Sequence, residues 1–260
     1  MTTMSFAVRD STTMLRRNLR RMQRYPSLTI MLLAQPILFL LLFGFVFGGT
    51  LGNGIGGGRS EYIGYMTPAI LLITVASAAL GTAVSVAMDM TEGIIARFRT
   101  MAISKASVLA GHVIGTVIQT VLGLAVVTGV ALLVGFSPSA GLLGWLGTAG
   151  LLLLVTVALT WVSVGFGLAA KSVETASNTP MVFMLLPFLG SGFVPTDSMP
   201  GWLRVFAEHQ PFTPVIETMR GMLFGTPVGD SVWWALGWCV VLTVVGYAWS
   251  KSLYAKERTR

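Results

Sequence analysis

The charges of this chain sit only in the gaps between long uncharged stretches, and the basic ones crowd into alternate gaps. No Asp, Glu, Lys or Arg occurs in Tyr25–Gly58, Tyr62–Met88, Ala106–Ala170, Thr175–Thr196 or Ser231–Ser250. A helix of about 20 apolar residues crosses a hydrocarbon core. The third stretch is far too long for one crossing and breaks at Ser137-Pro138. Six spans are therefore expected, at 28–47, 62–88, 106–134, 141–169, 178–192 and 232–250. Lipid leaves backbone groups no partner outside the segment, so the spans are helices. The fold class read from the sequence is an all-α polytopic membrane protein.

An even number of spans puts both termini on one side. That side carries 14 of the 17 Lys and Arg residues, and the other carries only Arg59, Arg204 and Arg220. Basic residues accumulate in cytoplasmic loops. The expected location is a bacterial-type cytoplasmic membrane with both termini in the cytoplasm. The acidic residues divide evenly and add nothing to the asymmetry. Only 10% of the 260 residues are charged, against about 25% in soluble domains. The net charge of +7 flanks the spans, so anionic lipid headgroups are its partner and no nucleic acid is expected.

Between the spans lie three segments with patterns of their own. Residues 5–24 carry Leu15, Leu19 and Met22 on one helical face beside Arg16, Arg17, Arg20, Arg21 and Arg24. That pattern predicts an amphipathic helix in the headgroup plane. Residues 89–104 place Asp89 and Glu92 before Arg97 and Arg99, as a helix dipole favours, with Ile94, Phe98 and Met101 on one face. Residues 197–225 hold two short patterns. One starts at Asp197/Ser198 and carries Trp202 and Phe206. The other starts at Thr213-Pro214 and stops at Gly225. Each is too short to span and too apolar for a solvated loop, which predicts an extracellular re-entrant helical hairpin before the last span. The Gly-rich run 48–60 is expected to be a flexible outer loop.

Chemistry-bearing motifs are scarce. Gly165 to Ser172 approaches a phosphate-loop pattern but has Ala170 at the sixth position and closes a membrane helix. A phosphate loop needs a strand, a loop and a helix. His112, His209 and Cys239 do not assemble a metal set, and no catalytic residues are expected. Gln35, Phe39 and Phe43 recur at helical spacing along the first span and form a candidate translocation path, with helix packing the plainer reading of the same stripe. The span interiors hold almost no ionisable residue, which argues against coupling to an ion gradient.

Two stretches carry a family resemblance. One is Asp89-Met-Thr-Glu-Gly-Ile-Ile-Ala-Arg-Phe-Arg; the other is Phe193-Val-Pro-Thr-Asp-Ser-Met-Pro-Gly-Trp-Leu-Arg with Gln210-Pro-Phe-Thr-Pro-Val-Ile-Glu-Thr-Met-Arg. With the order of segments, they resemble the ABC-2 type (type V) exporter permeases, in the daunorubicin-resistance branch. The resemblance implies one transmembrane domain over 1–260. It makes 5–24 a connecting helix and 89–104 a coupling helix that docks on an ATP-binding subunit through Asp89, Glu92, Gly93, Arg97 and Phe98. It makes 197–225 an exit gate including Trp202, Phe206, Glu217 and Arg220. It also implies a second permease copy, membrane lipids as partners, and ATP and Mg bound by the partner ATPase, with no cofactor on this chain. The cargo expected is a hydrophobic or amphiphilic compound: a drug, a glycolipid or a polyketide lipid. A membrane scaffold or assembly factor without transport is the alternative.

Overall fold

The computed structural model describes residues 26–91 and 105–256, with side chains described for 32–91 and 110–255. The expected helix at 5–24 and residues 92–104 lie outside the described residues. Every regular element among the described residues is helical. Helix α1 (Pro26–Leu41) runs through a π turn (Leu42–Phe47) into α2 (Gly48–Gly54). Helices α3 (Arg59–Thr91), α4 (Lys105–Val134) and α5 (Leu142–Ala169) follow. The short α6 (Val173–Asn178), a 3-10 turn (Thr179–Met181) and α7 (Val182–Leu185) come next. Then come a 3-10 turn (Thr196–Ser198), α8 (Gly201–His209), α9 (Phe212–Phe224) and α10 (Ser231–Lys256).

Five helices among the described residues are long and apolar enough to cross a membrane: Leu32–Gly54, Arg59–Thr91, Ala110–Val134, Leu142–Ala169 and Ser231–Ala255. Helices α3 and α5 are mostly buried, whereas the α1–α2, α4 and α10 windows are largely exposed and carry bare Leu, Val and Phe side chains. In water such faces would be costly; against lipid tails they are not.

Small residues set the closest approaches. A Cβ on Gly246 of α10 would lie 2.7 Å from the Val162 nitrogen, and one on Gly167 of α5 would lie 2.6 Å from the Ala83 oxygen. Larger residues there would push the backbones apart, as in other small-residue membrane seams. Buried hydroxyls inside the helices mostly satisfy themselves on the preceding turn: Thr67, Thr74 and Thr156 donate to the carbonyls of Ile63, Ile70 and Leu152.

Cross-contacts give the helix directions. Helix α4 opposes α3, because Thr82 meets Thr116 while Gly123 faces Thr74. Helices α3, α5 and α10 run the same way: Leu72 lies beside Val155 and Leu159 while Gly167 lies on Ala83, and Tyr247 packs on Trp161 while Trp249 packs on Phe166. Helix α5 thus ends near Thr91, while α10 begins at the opposite end, near Arg59. The chain between them must travel back. Phe183 packs on Phe166 with ring centroids 6.0 Å apart, and Phe193 reaches Phe43 at 4.5 Å. The return therefore covers the length of the bundle as a broken path.

Several expectations change in detail. The stretch 178–192 is not one helix. Pro180 falls in the 3-10 turn, and the chain after Leu185 is a run of turns. Gly192 sits so tightly on the Pro187 carbonyl and Ala69 that only a hydrogen fits. The Gly-rich run is not wholly a loop, because helix continues to Gly54 and Gly52 packs against the Gly58 carbonyl. Helix α8 begins at Gly201 after Pro200, without a side-chain cap, so Asp197 does not cap it. Helix α9 begins at Phe212, with Pro214 inside its first turn, where a missing N–H costs nothing. It stops at Gly225, whose φ of +67° is left-handed and suits glycine.

Candidate functional site

Most of the described residues singled out in the sequence fall toward the two ends of the bundle. At the Arg59 end, Phe39 and Phe43 pack edge-on to each other and join Phe188 and Phe193 from the turns after α7. Phe188 and Phe193 stack with centroids 4.5 Å apart and planes 4° from parallel, and Phe47 extends the cluster from the π turn. Aromatic pairs in such arrangements add about 0.5–1.5 kcal/mol beyond their burial. The π turn advances the helix by one extra residue, a feature frequent at functional sites. Gln35, half-buried one turn earlier, is not part of this cluster.

Arg220 of α9 fastens the same end. Its Nη2 donates to the Tyr65 carbonyl at 3.0 Å and to the Ser191 carbonyl at 2.9 Å. Its Nε also donates to Tyr65 at 3.3 Å, and Nη1 pairs with Glu217 at 2.8 Å. The guanidinium lies 3.7 Å from the Tyr65 ring centroid. One planar fork thus ties α9 to α3 and to the turns after α7, as only Arg can. Just before the start of α9, Gln210 ties that helix to the turns after α7. It donates from Nε2 to Thr213 Oγ1 at 2.9 Å and to the Leu186 carbonyl at 3.3 Å, and its Oε1 accepts the Phe212 N–H at 3.0 Å. The Ser191 N–H donates to Thr213 Oγ1. These bonds fix the buried start of α9 and the α8–α9 corner.

Trp202 and Phe206 lie apart from this network. Trp202 is 77% exposed and Phe206 46%. They sit on α8, whose Arg204 bridges Asp197 and Glu208, each at 2.7 Å. Glu208, and then Asp197, push the Arg204 pKa above its ordinary value. These exposed pairs contribute little to stability. The four residues expected at an exit gate therefore divide: Glu217 and Arg220 join the bundle, and Trp202 and Phe206 face outward.

At the Thr91 end, Asp89 is buried rather than presented to solvent. Its Oδ2 lies 3.1 Å from His112 Nε2, and both side chains are 4% exposed. That is ion-pair distance, although the approach is outside hydrogen-bond geometry. The pair joins α3 to α4 on either side of the segment 92–104. Glu92, Gly93, Arg97 and Phe98 fall among the residues not described. Lys171 is exposed, and Ser172 starts α6 by accepting the Thr175 N–H. The phosphate-loop look-alike is thus a helix end followed by a corner, without a strand. No group of His, Cys, Asp and Glu suited to a metal occurs among the described residues.

Sequence reading missed Tyr65, Phe188, Phe193, Ser191, Gln210 and Thr213. The one available signal was Gln210-Pro211 and Thr213-Pro214, polar caps beside prolines at a helix start. The Asp89–His112 pair joins distant residues, and no local pattern announces it.

Residues 10–224 match the ABC-2 type transporter family. The chain is 28% identical, over 85% of its length and 77% of the relative's, to the daunorubicin resistance ABC transporter permease protein DrrB1 of Streptomyces coeruleorubidus. It is 27% identical, over 82% and 78%, to the probable doxorubicin resistance ABC transporter permease protein DrrC of Mycobacterium tuberculosis. Buried α3 and α5 beside apolar helices fit a multi-pass membrane protein, and the chain, which resembles the daunorubicin- and doxorubicin-resistance permeases, belongs to the ABC-2 type transporters.

Proposed function

We propose that this permease subunit carries a hydrophobic or amphiphilic compound out of the cytoplasm or inner leaflet, driven by ATP hydrolysis on a separate chain. The match of the ABC-2 family to residues 10–224 carries the reading. The names of the two relatives make an anthracycline-like drug the first cargo to try, and a glycolipid or polyketide lipid fits the same chemistry. The segment 89–104 is the contact for the ATPase. Two permease copies and two ATPase chains make the transporter, with Mg and ATP held by the ATPase.

The broken return from 170 to 195 is the sixth crossing in this reading, and both termini are cytoplasmic. Helices α8 and α9 then lie at the outer face and dip into the outer leaflet. An Arg at the centre of a membrane helix costs about 2.5–3.5 kcal/mol on insertion scales. Arg220 avoids that cost through its pairing with Glu217 and the two carbonyls.

Accessibility tests this topology. Asp197→Cys and Gly225→Cys, each in a Cys239→Ser background, are expected to react with an impermeant maleimide added outside intact cells. Reaction of either only from the cytoplasmic side would overturn both the crossing count and the terminus assignment.

A further inference from the structure

Helix α8 has three different sides. Successive residues of a helix turn by about 100°. Leu203 and Ala207 therefore share one side, Arg204 and Glu208 a second, and Trp202 and Phe206, flanked by Val205, a third. The first side rests on the bundle, where Ala207 is fully buried. The second carries the exposed Arg204–Glu208 pair. The third is bare apolar surface, since Trp202, Val205 and Phe206 are all exposed.

This surface continues onto α10. His209, the last residue of α8, packs edge-on against Trp234 with ring centroids 6.4 Å apart. Trp238 Nε1 donates to the His209 carbonyl at 3.2 Å, which fixes the end of α8 against α10. Trp234 and its neighbour Trp233 are 58% and 72% exposed. They head a strip on α10 where Val240, Val241, Val244 and Val245 recur at helical spacing and are exposed as well.

The uncharged part of α10, Ser231–Ser250, is about 30 Å long at the rise of a helix, as thick as a hydrocarbon core. Asp230 marks one edge of that core, and Trp233 and Trp234 lie within about a turn of it. Tryptophan concentrates at this boundary, with its ring toward the tails and its N–H toward polar groups. A helix with separate charged and apolar sides lies in the same plane. A protein seated on α8 would leave the valine strip beside it bare, whereas lipid covers both without a break.

We infer that Trp202, Val205 and Phe206 of α8, with Trp233 and Trp234 of α10, form one collar at the headgroup–acyl boundary of the outer leaflet, and that its partner is phospholipid. Trp202 and Phe206 then hold the α8–α9 hairpin at a fixed depth instead of lining an exit. The choice of leaflet rests on the topology proposed above; the contact with lipid does not.

The test uses the full chain in phosphatidylethanolamine–phosphatidylglycerol vesicles. Trp202→Cys, Phe206→Cys, Glu208→Cys and Trp233→Cys, each in a Cys239→Ser background, are spin-labelled, and Val205→Cys replaces Trp202→Cys where that variant does not fold. Power saturation is read with oxygen, which enters lipid, and with a water-soluble nickel chelate. Oxygen is expected to dominate at 202, 206 and 233, and the order to reverse at 208. Nickel dominance at 202 and 206 would put this face in water and overturn the collar. Low access of both reagents there would mean that protein covers the face, a second copy included, and would overturn lipid as the partner. Oxygen at 202 with nickel at 233 would overturn a single collar. Neither reagent distinguishes the leaflets, so a maleimide result that reverses the topology would overturn the leaflet alone.

Discussion

Glu92→Lys and Gly93→Pro are each expected to lower permease-dependent ATP hydrolysis about tenfold or more, while the protein still accumulates in the membrane. Coupling between sites typically amounts to about 1–3 kcal/mol, and tenfold is within that range. Glu92 follows the last residue of α3 in the sequence, and an acid ahead of Arg97 and Arg99 suits the helix proposed for 89–104. Reversing its charge opposes both the dipole and any contact built for an acid. Proline removes a backbone donor and fixes φ, which would distort the helix proposed for 89–104. The buried Asp89–His112 pair ties together the two spans that flank the segment. Binding of the ATPase is read by pull-down and hydrolysis by phosphate release. Wild-type hydrolysis by both variants at equal expression would remove 89–104 from the coupling path.

Arg220→Leu is expected to destabilise the fold by about 2–4 kcal/mol, since it leaves two carbonyls without a charged donor. The loss also separates α9 from α3 and from the turns that hold Phe188 and Phe193. Arg220→Lys is expected to recover only part, because an ammonium cannot bridge both carbonyls while stacking on Tyr65. Cys239 is the chain's single cysteine and is buried, so a thiol-reactive dye reports unfolding. The expected fall in Tm for Arg220→Leu is about 5–15 °C. Melting within about 2 °C of wild type would show that the fork is incidental.

Much of the architecture is legible in the uncharged runs, because crossing length and charge exclusion are local properties. Helices α3, α4, α5 and α10 fall close to their expected bounds for that reason. The stretch 178–192 looked like a span because it lacks charge. Charge exclusion says nothing about continuity, and Pro180, Pro187, Gly190 and Gly192 break the helix. Gly225 was legible as a stop because a left-handed cap has a residue preference. The functional contacts were not. The Phe39–Phe43–Phe188–Phe193 cluster and the Arg220 fork join residues far apart in the chain, and helical spacing reports only neighbours on one face. The resemblance makes Asp89 part of a helix that docks on a partner, and the fold buries it against His112.

Co-reconstitution tests the central claim most directly. The chain and an ABC ATP-binding subunit are placed together in vesicles, and fluorescent amphiphiles are offered outside, with daunorubicin first. The account predicts ATP-dependent accumulation of at least one amphiphile in inside-out vesicles, absent when either chain or ATP is omitted. Movement that is the same without ATP, or an ATPase that neither binds this chain nor is stimulated through it, would contradict it.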